Sequence, residues 1–144
     1  MKNILFVCTG NSARSIIAES IINNEFKDKF KAYSAGSNPS GKINEYIKEF
    51  LEKNKNYDLS GYSSKNFEDF LNNEIKMDHV VTVCNNANNE VCPIWPEKSQ
   101  IIHWDIEDPV SKLLNSNENE KNILINNTFN QINKNIIDWI SNEK

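Results

Sequence analysis

Eight consecutive residues near the start of the chain carry a thiol, a guanidinium and a hydroxyl: Cys8-Thr9-Gly10-Asn11-Ser12-Ala13-Arg14-Ser15. They follow the apolar run Ile4-Leu5-Phe6-Val7, so Cys8 ends a strand and residues 9–13 form a small polar loop. Successive amide N–H groups in such a loop converge as an anion-binding nest, and a helix N-terminus behind it adds to the positive field. Gly10 and Asn11 tolerate the positive φ that a tight cradle uses. Arg14 closes the ring with two parallel donors. The same field favours a thiolate at Cys8, and the Ser15 hydroxyl can donate to it. Thr9, Gly10, Asn11, Ser12, Ala13 and Arg14 are therefore candidate oxyanion-binding residues, with Cys8 as nucleophile. Nucleophile and oxyanion receptor are one object, suited to attack on a tetrahedral centre. A cysteine that only packs at a strand end, with a chance arginine six positions on, is the plain alternative, and short motifs do occur by chance.

The elements that must position this loop follow from apolar periodicity. Residues 2–8 read as a buried strand and 14–26 as a helix with Ile16, Ile17, Ile21 and Ile22 at helical spacing. Residues 30–35 read as a second strand, ended by the turn signals Gly-Ser-Asn-Pro-Ser-Gly. Residues 42–54 form an amphipathic helix with Ile43, Tyr46, Ile47, Phe50 and Leu51 on one stripe. A short helix is expected within 66–74, a third strand at 78–84, a polar loop at 85–99 and a fourth strand at 100–104. Residues 105–112 read as loop. A long helix over about 118–142 offers Ile123, Phe129, Ile132, Ile136, Ile137 and Ile140 as core contacts. Alternating strands and helices predict an α/β fold with a four-stranded parallel sheet flanked by helices, one domain over residues 1–144. In such a sheet ligands sit beyond the carboxyl ends of the strands, where Cys8 lies.

Bulk composition narrows the function. The chain has 144 residues, a net charge of −4, 38% hydrophobic and 25% charged residues, which fits one soluble globular domain. The acidic balance argues against a nucleic-acid partner. The apolar runs are too short for a membrane span, and the N-terminal run is too short for a signal peptide, so a cytoplasmic location is expected. The three cysteines, Cys8, Cys84 and Cys92, are an odd count that does not suggest a disulfide framework. Inert buried thiols or redox chemistry remain open for the latter two. His79 and His103 lack metal-ligand spacing, so structural roles and no metal site are expected. Trp95 and Trp104 are candidates for the site edge, and Trp139 for packing of the last helix.

Val7-Cys8-Thr9-Gly10-Asn11-Ser12-Ala13-Arg14-Ser15 resembles the phosphate-binding loop of the low-molecular-weight protein tyrosine phosphatases, and still more that of the arsenate reductases sharing their flavodoxin-like fold. Other matching segments are AESIINN, YSAGSNPSG, VVTVCNN, CPIWP and HWDIEDP, in order along the chain. The resemblance implies that Asp108, in the Asp-Pro pair, is the general acid that protonates the departing oxygen, with Pro109 stiffening its loop. Glu107 is a weaker candidate. Phosphatases of this fold carry aromatic residues after Asp-Pro. Val110, Ser111 and Lys112 stand there instead, which favours a small inorganic oxyanion: arsenate, with phosphate or sulfate as analogues.

The resemblance further implies a relay in which Cys8, Cys84 and Cys92 act in turn and an external thiol reductant closes the cycle. Eight positions separate Cys84 from Cys92, one more than in some thioredoxin-linked relatives, so thioredoxin and glutaredoxin with glutathione both stand as reductants. In some relatives the equivalents of Asn11, Glu19 and Ser34, with an aspartate, hold potassium. Lys65 takes the aspartate's place, which predicts an ammonium in the cation site, hydrogen-bonded to Glu19, and no potassium requirement. No cofactor and no membrane partner are expected, and a monomer is. The rival readings are a phosphatase using Cys8, Arg14 and Asp108 alone, and a non-enzymatic oxyanion-binding module.

Overall fold

The computed structural model describes residues 1–71, 75–83, 100–113 and 115–142. The run Lys2–Cys8 forms β1, and its side chains alternate between two buried layers. Ile4, Phe6 and Cys8 enter one hydrophobic cluster, Leu5 and Val7 the other. A strand covered on both faces must be apolar throughout, which explains Ile-Leu-Phe-Val without alternation.

α1 (Arg14–Glu25) follows and is buried along Arg14–Ile22, with Ile16, Ile17, Ile21 and Ile22 all sealed from solvent. β2 (Phe30–Gly36) pairs parallel with β1, setting Cys8 opposite Gly36. α2 (Glu45–Asn54) begins where the Asn44 side chain accepts from the Tyr46 and Ile47 amides, which satisfies two otherwise orphaned donors. Ile47, Phe50 and Leu51 face inward. The expected stripe is narrower than predicted: Tyr46 is 40% exposed, and Lys121 Nζ lies 3.9 Å from its ring centroid.

α3 (Glu68–Leu71) covers the opposite sheet face through Phe70. β3 (His79–Thr82) pairs with β1, and β4 (Gln100–His103) pairs with β3. The order is β2-β1-β3-β4, all parallel, as expected for a four-stranded parallel sheet. The direction of winding reverses at β1, so the switch point opens at the carboxyl end of β1, beside Cys8.

Residues 105–109 form the loop after β4. Contrary to the expected uninterrupted loop, Val110–Leu113 form a helical turn, α4, stopped from starting earlier by Pro109. α5 (Glu118–Asn142) closes the larger cluster with Ile125, Phe129, Ile132 and Ile136. Two predicted contacts are corrected: Ile123 is 60% and Ile137 46% exposed. Adjacent residues lie about 100° apart on a helix, so the stripe that buries Ile136 carries Ile137 toward solvent. Trp139 packs α5 on the sheet, 5.4 Å from the Phe30 ring and edge-on to His79 at 5.0 Å. No helix among the described residues is long and apolar enough to cross a membrane.

Candidate active site

Cys8 is buried at the end of β1 and is the free cysteine among the described residues. Its Sγ receives the Asn11 amide at 3.2 Å and lies 2.9 Å from Ser15 Oγ. The direction of that second bond is fixed by its neighbours. The Lys65 amide donates to Asn11 Oδ1 at 2.8 Å, so Asn11 presents Nδ2 to Ser15 Oγ at 2.7 Å. Ser15 Oγ accepts there, and its single proton is left to donate to sulfur. A thiolate at Cys8 thus has two donors aimed at it.

The loop's carbonyl oxygens are drawn away from the thiol. Those of Cys8, Thr9, Gly10 and Ser12 accept from the amides of Ser37, Asn38, Ser40 and Asn44, at 2.9–3.1 Å. Gly10 O accepts a second bond from Ser64 Oγ at 3.1 Å. Ala13 O accepts from Ile17 N as α1 begins. In a planar trans peptide the N–H points opposite to the C=O. Oxygens tied outward therefore turn the amides of Thr9, Gly10, Asn11, Ala13 and Arg14 to the other side, and Asn11 N on Cys8 Sγ is the visible case. Asn11 alone in the loop takes a positive φ, +47°; Gly10 does not. Asparagine is among the side chains that reach this region at least cost.

Arg14 is 2% exposed. Its Nη1 donates to Val83 O at 3.1 Å and Ile106 O at 2.9 Å, tying the helix start to the ends of β3 and the β4 loop. Its Nη2 lies 3.8 Å from Asp108 Oδ2. The buried cation is thereby hydrogen-bonded and faces an anion, which its burial requires. Asp108 Oδ1 accepts the Val110 amide at 3.0 Å, and the half-exposed carboxylate stands at the mouth. Glu107 instead pairs with Lys112 at 2.6 Å.

Beneath the loop, Ser34 Oγ donates to Glu19 Oε1 at 2.5 Å. Burial pushes the Glu19 carboxyl above its ordinary value, opposed by the charge of Lys65 and the Ser34 hydroxyl. Burial pulls the Lys65 ammonium below its ordinary value, opposed by Glu19 and then Asp69. Lys65 Nζ donates to Ser63 O at 2.7 Å. The expected direct bond to Glu19 does not form among the described residues, and the two are coupled by charge alone. No group of three His, Cys, Asp or Glu among the described residues is placed to hold a metal ion.

Cys8, Thr9, Gly10, Asn11, Ser12, Ala13, Arg14, Ser15 and Asp108 are thus brought to one end of the sheet, with Glu19, Ser34 and Lys65 below. Cys84, Cys92 and Trp95 lie outside the described residues. Trp104 packs against Phe6, ring centroids 6.1 Å apart. His103 Nδ1 lies 2.6 Å from Thr82 Oγ1, and its Nε2 3.0 Å from Asp105 Oδ1. Sequence reasoning missed the outer strap 37–44, the carbonyls of Val83 and Ile106, and Ser64. Backbone acceptors leave no side-chain signal; the strap showed only as turn residues.

The sequence profile of the family described as low molecular weight phosphotyrosine protein phosphatase matches residues 3–143. Arsenate reductase 1 of Staphylococcus epidermidis is 38% identical over 113 residues, covering 77% of this chain and 80% of that protein. The crystal structure of an arsenate reductase from Archaeoglobus fulgidus superposes with a TM-score of 0.69 at 26% identity, covering 91% of this chain and 96% of that one. The low molecular weight protein tyrosine phosphatase of T. tengcongensis shares the fold, with a TM-score of 0.66 at 24% identity over 96% of this chain and 99% of that one.

Proposed function

Because the chain belongs to the low molecular weight phosphotyrosine protein phosphatase family and has curated arsenate reductases among its relatives, we propose that it reduces arsenate to arsenite. The observation that carries this reading is the meeting of Cys8, Ser15, Arg14 and Asp108 at one sheet end, with Val110 where an aromatic wall would follow Asp-Pro.

The loop amides and Arg14 hold three arsenate oxygens, and the Cys8 thiolate attacks arsenic. Asp108 protonates the departing oxygen, which leaves as water. The Cys84 thiolate then attacks Cys8 Sγ. The electron pair of the arsenic–sulfur bond stays on arsenic, reducing As(V) to As(III), while the two sulfurs are oxidised to a disulfide. Arsenite leaves. Cys92 attacks Cys84, frees the Cys8 thiolate and moves the disulfide to Cys84–Cys92, which an external dithiol reduces. Thioredoxin, or glutaredoxin with glutathione, fills that place. With the Lys65 ammonium beside Glu19, activity needs no added potassium. A strong rise on exchanging sodium for potassium would remove that point.

The test is arsenite release with thioredoxin against glutaredoxin plus glutathione, run beside phosphate-ester hydrolysis. Cys8→Ser abolishes both reactions. Cys84→Ser stops arsenite release and leaves ester hydrolysis. Cys92→Ser gives one turnover per enzyme and then stops; sustained turnover by that variant refutes the relay. Hydrolysis with no arsenite under either reductant would instead favour the phosphatase reading, for which Cys8, Arg14 and Asp108 suffice.

A further inference from the structure

We infer that Gly36, at the end of β2, is a positioning residue that sets how the oxyanion loop lies against the sheet. The inference rests on reading residues 8–14 as an oxyanion cradle. Gly36 stands opposite Cys8 in the parallel register. A Cβ at this position would collide with the Thr9 carbonyl oxygen and come within 3.1 Å of both Asn11 Cβ and Asn11 N. The requirement is one of space, since Gly36 does not take a positive φ. Two of the crowded atoms belong to the residue that serves the thiol: Asn11 N donates to Cys8 Sγ, and Asn11 Nδ2 to Ser15 Oγ.

Gly36 itself cannot retreat. Its N donates to Lys65 O at 2.9 Å and its O accepts from Phe67 N at 3.0 Å, and Ala35 before it is fully buried. A side chain here is accommodated by moving the loop, which carries Thr9 O off the Asn38 amide and Asn11 off sulfur. Displacing the receiving groups by a fraction of an ångström weakens every bond they make to an oxyanion and to the thiolate, because both sets depend on fixed geometry.

Gly36→Ala is compared with wild type and with Gly61→Ala. Gly61 has φ +86° and open space where a Cβ would go, so its substitution strains the backbone without touching the loop. Each protein is melted in dilute phosphate at constant ionic strength against chloride, with an osmolyte present so that the variants stay folded at the start. Iodoacetamide labelling of the Cys8 peptide at neutral pH is followed by mass spectrometry. Wild type and Gly61→Ala gain Tm on phosphate addition, as ligand binding to the native state requires. Gly36→Ala loses that gain, labels more slowly at Cys8, and drops in kcat/KM by roughly a hundredfold. A merely structural glycine would lower the starting Tm and leave the phosphate increment and the labelling rate as they are in wild type. That outcome overturns the inference and leaves the cradle intact. Absence of a phosphate response in wild type itself overturns both.

Discussion

At the scale of single residues, the site works by removing choices from a few protons. The Lys65 amide fixes the Asn11 amide, Asn11 fixes the Ser15 hydroxyl, and the hydroxyl is left to face sulfur. Ser15→Ala therefore removes one of two donors to the thiolate and strands Asn11 Nδ2. Loss of a preset donor to a reacting anion lowers kcat on the order of a hundredfold, which steady-state kinetics on the folded protein checks, and the stranded amide lowers Tm as well. Glu19 offers a pH readout. Its folded-state carboxyl titrates above its ordinary value of 4.5. The fold thus favours the protonated form, and this contribution to stability is whole below pH 4.5 and fades as pH rises through the higher folded value. Urea unfolding from acid to neutral pH should show wild type losing stability relative to Glu19→Gln as pH rises. Adding Lys65→Met should show the two residues coupled, because the ammonium offsets part of the burial cost.

At the scale of elements, the strap from Ser37 to Asn44 is as much part of the site as the loop it covers. Asn44 has two duties: its side chain caps α2, and its amide holds Ser12 O. Asn44→Ala should cost about 1 kcal/mol in denaturant unfolding through the lost cap. It should also weaken phosphate inhibition only slightly, since the backbone bond to Ser12 survives. The elements were largely legible beforehand. The β1 run Ile-Leu-Phe-Val speaks for itself, because burial on both faces leaves no polar positions, and the pairs Ile16-Ile17 and Ile21-Ile22 mark α1 by their helical spacing. The phase of α5 was not. Isoleucines at 123, 125, 132, 136, 137 and 140 crowd more of the helix surface than one neighbour can cover, and only packing chooses among them. In the site, Cys8, Arg14 and Ser15 could be named from side-chain chemistry, and Asp108 from the family resemblance. Val83 and Ile106 could not, since they contribute carbonyls, and Gly36 read only as the first residue of a turn because its importance is the absence of an atom.

At the scale of the whole molecule, a thin sheet of four strands depends on α5 for much of its larger core. Ile132 and Ile136 are fully buried there with Phe129, whose ring sits 5.9 Å from Phe50 on α2. Ile136→Ala should destabilise the protein by about 2–5 kcal/mol, a large part of the 5–15 kcal/mol typical of a domain, roughly. A urea midpoint shift at constant slope would check it. Ile136 makes none of the hydrogen bonds that build the site at the switch point, so residual catalysis per folded molecule should stay near wild type.

The tethered carbonyls of Cys8, Thr9, Gly10 and Ser12 have a kinetic corollary. Rotation of the peptide after Cys8, Thr9, Gly10 or Ser12 would first have to tear an oxygen from its amide on the strap or, at Gly10, from two donors at once. Such a flip would aim a lone pair where a proton must sit and shut the door on anions. Held against it, the ring stays open for business at every encounter, and capture of a small anion is governed by arrival and not by waiting for the backbone to turn.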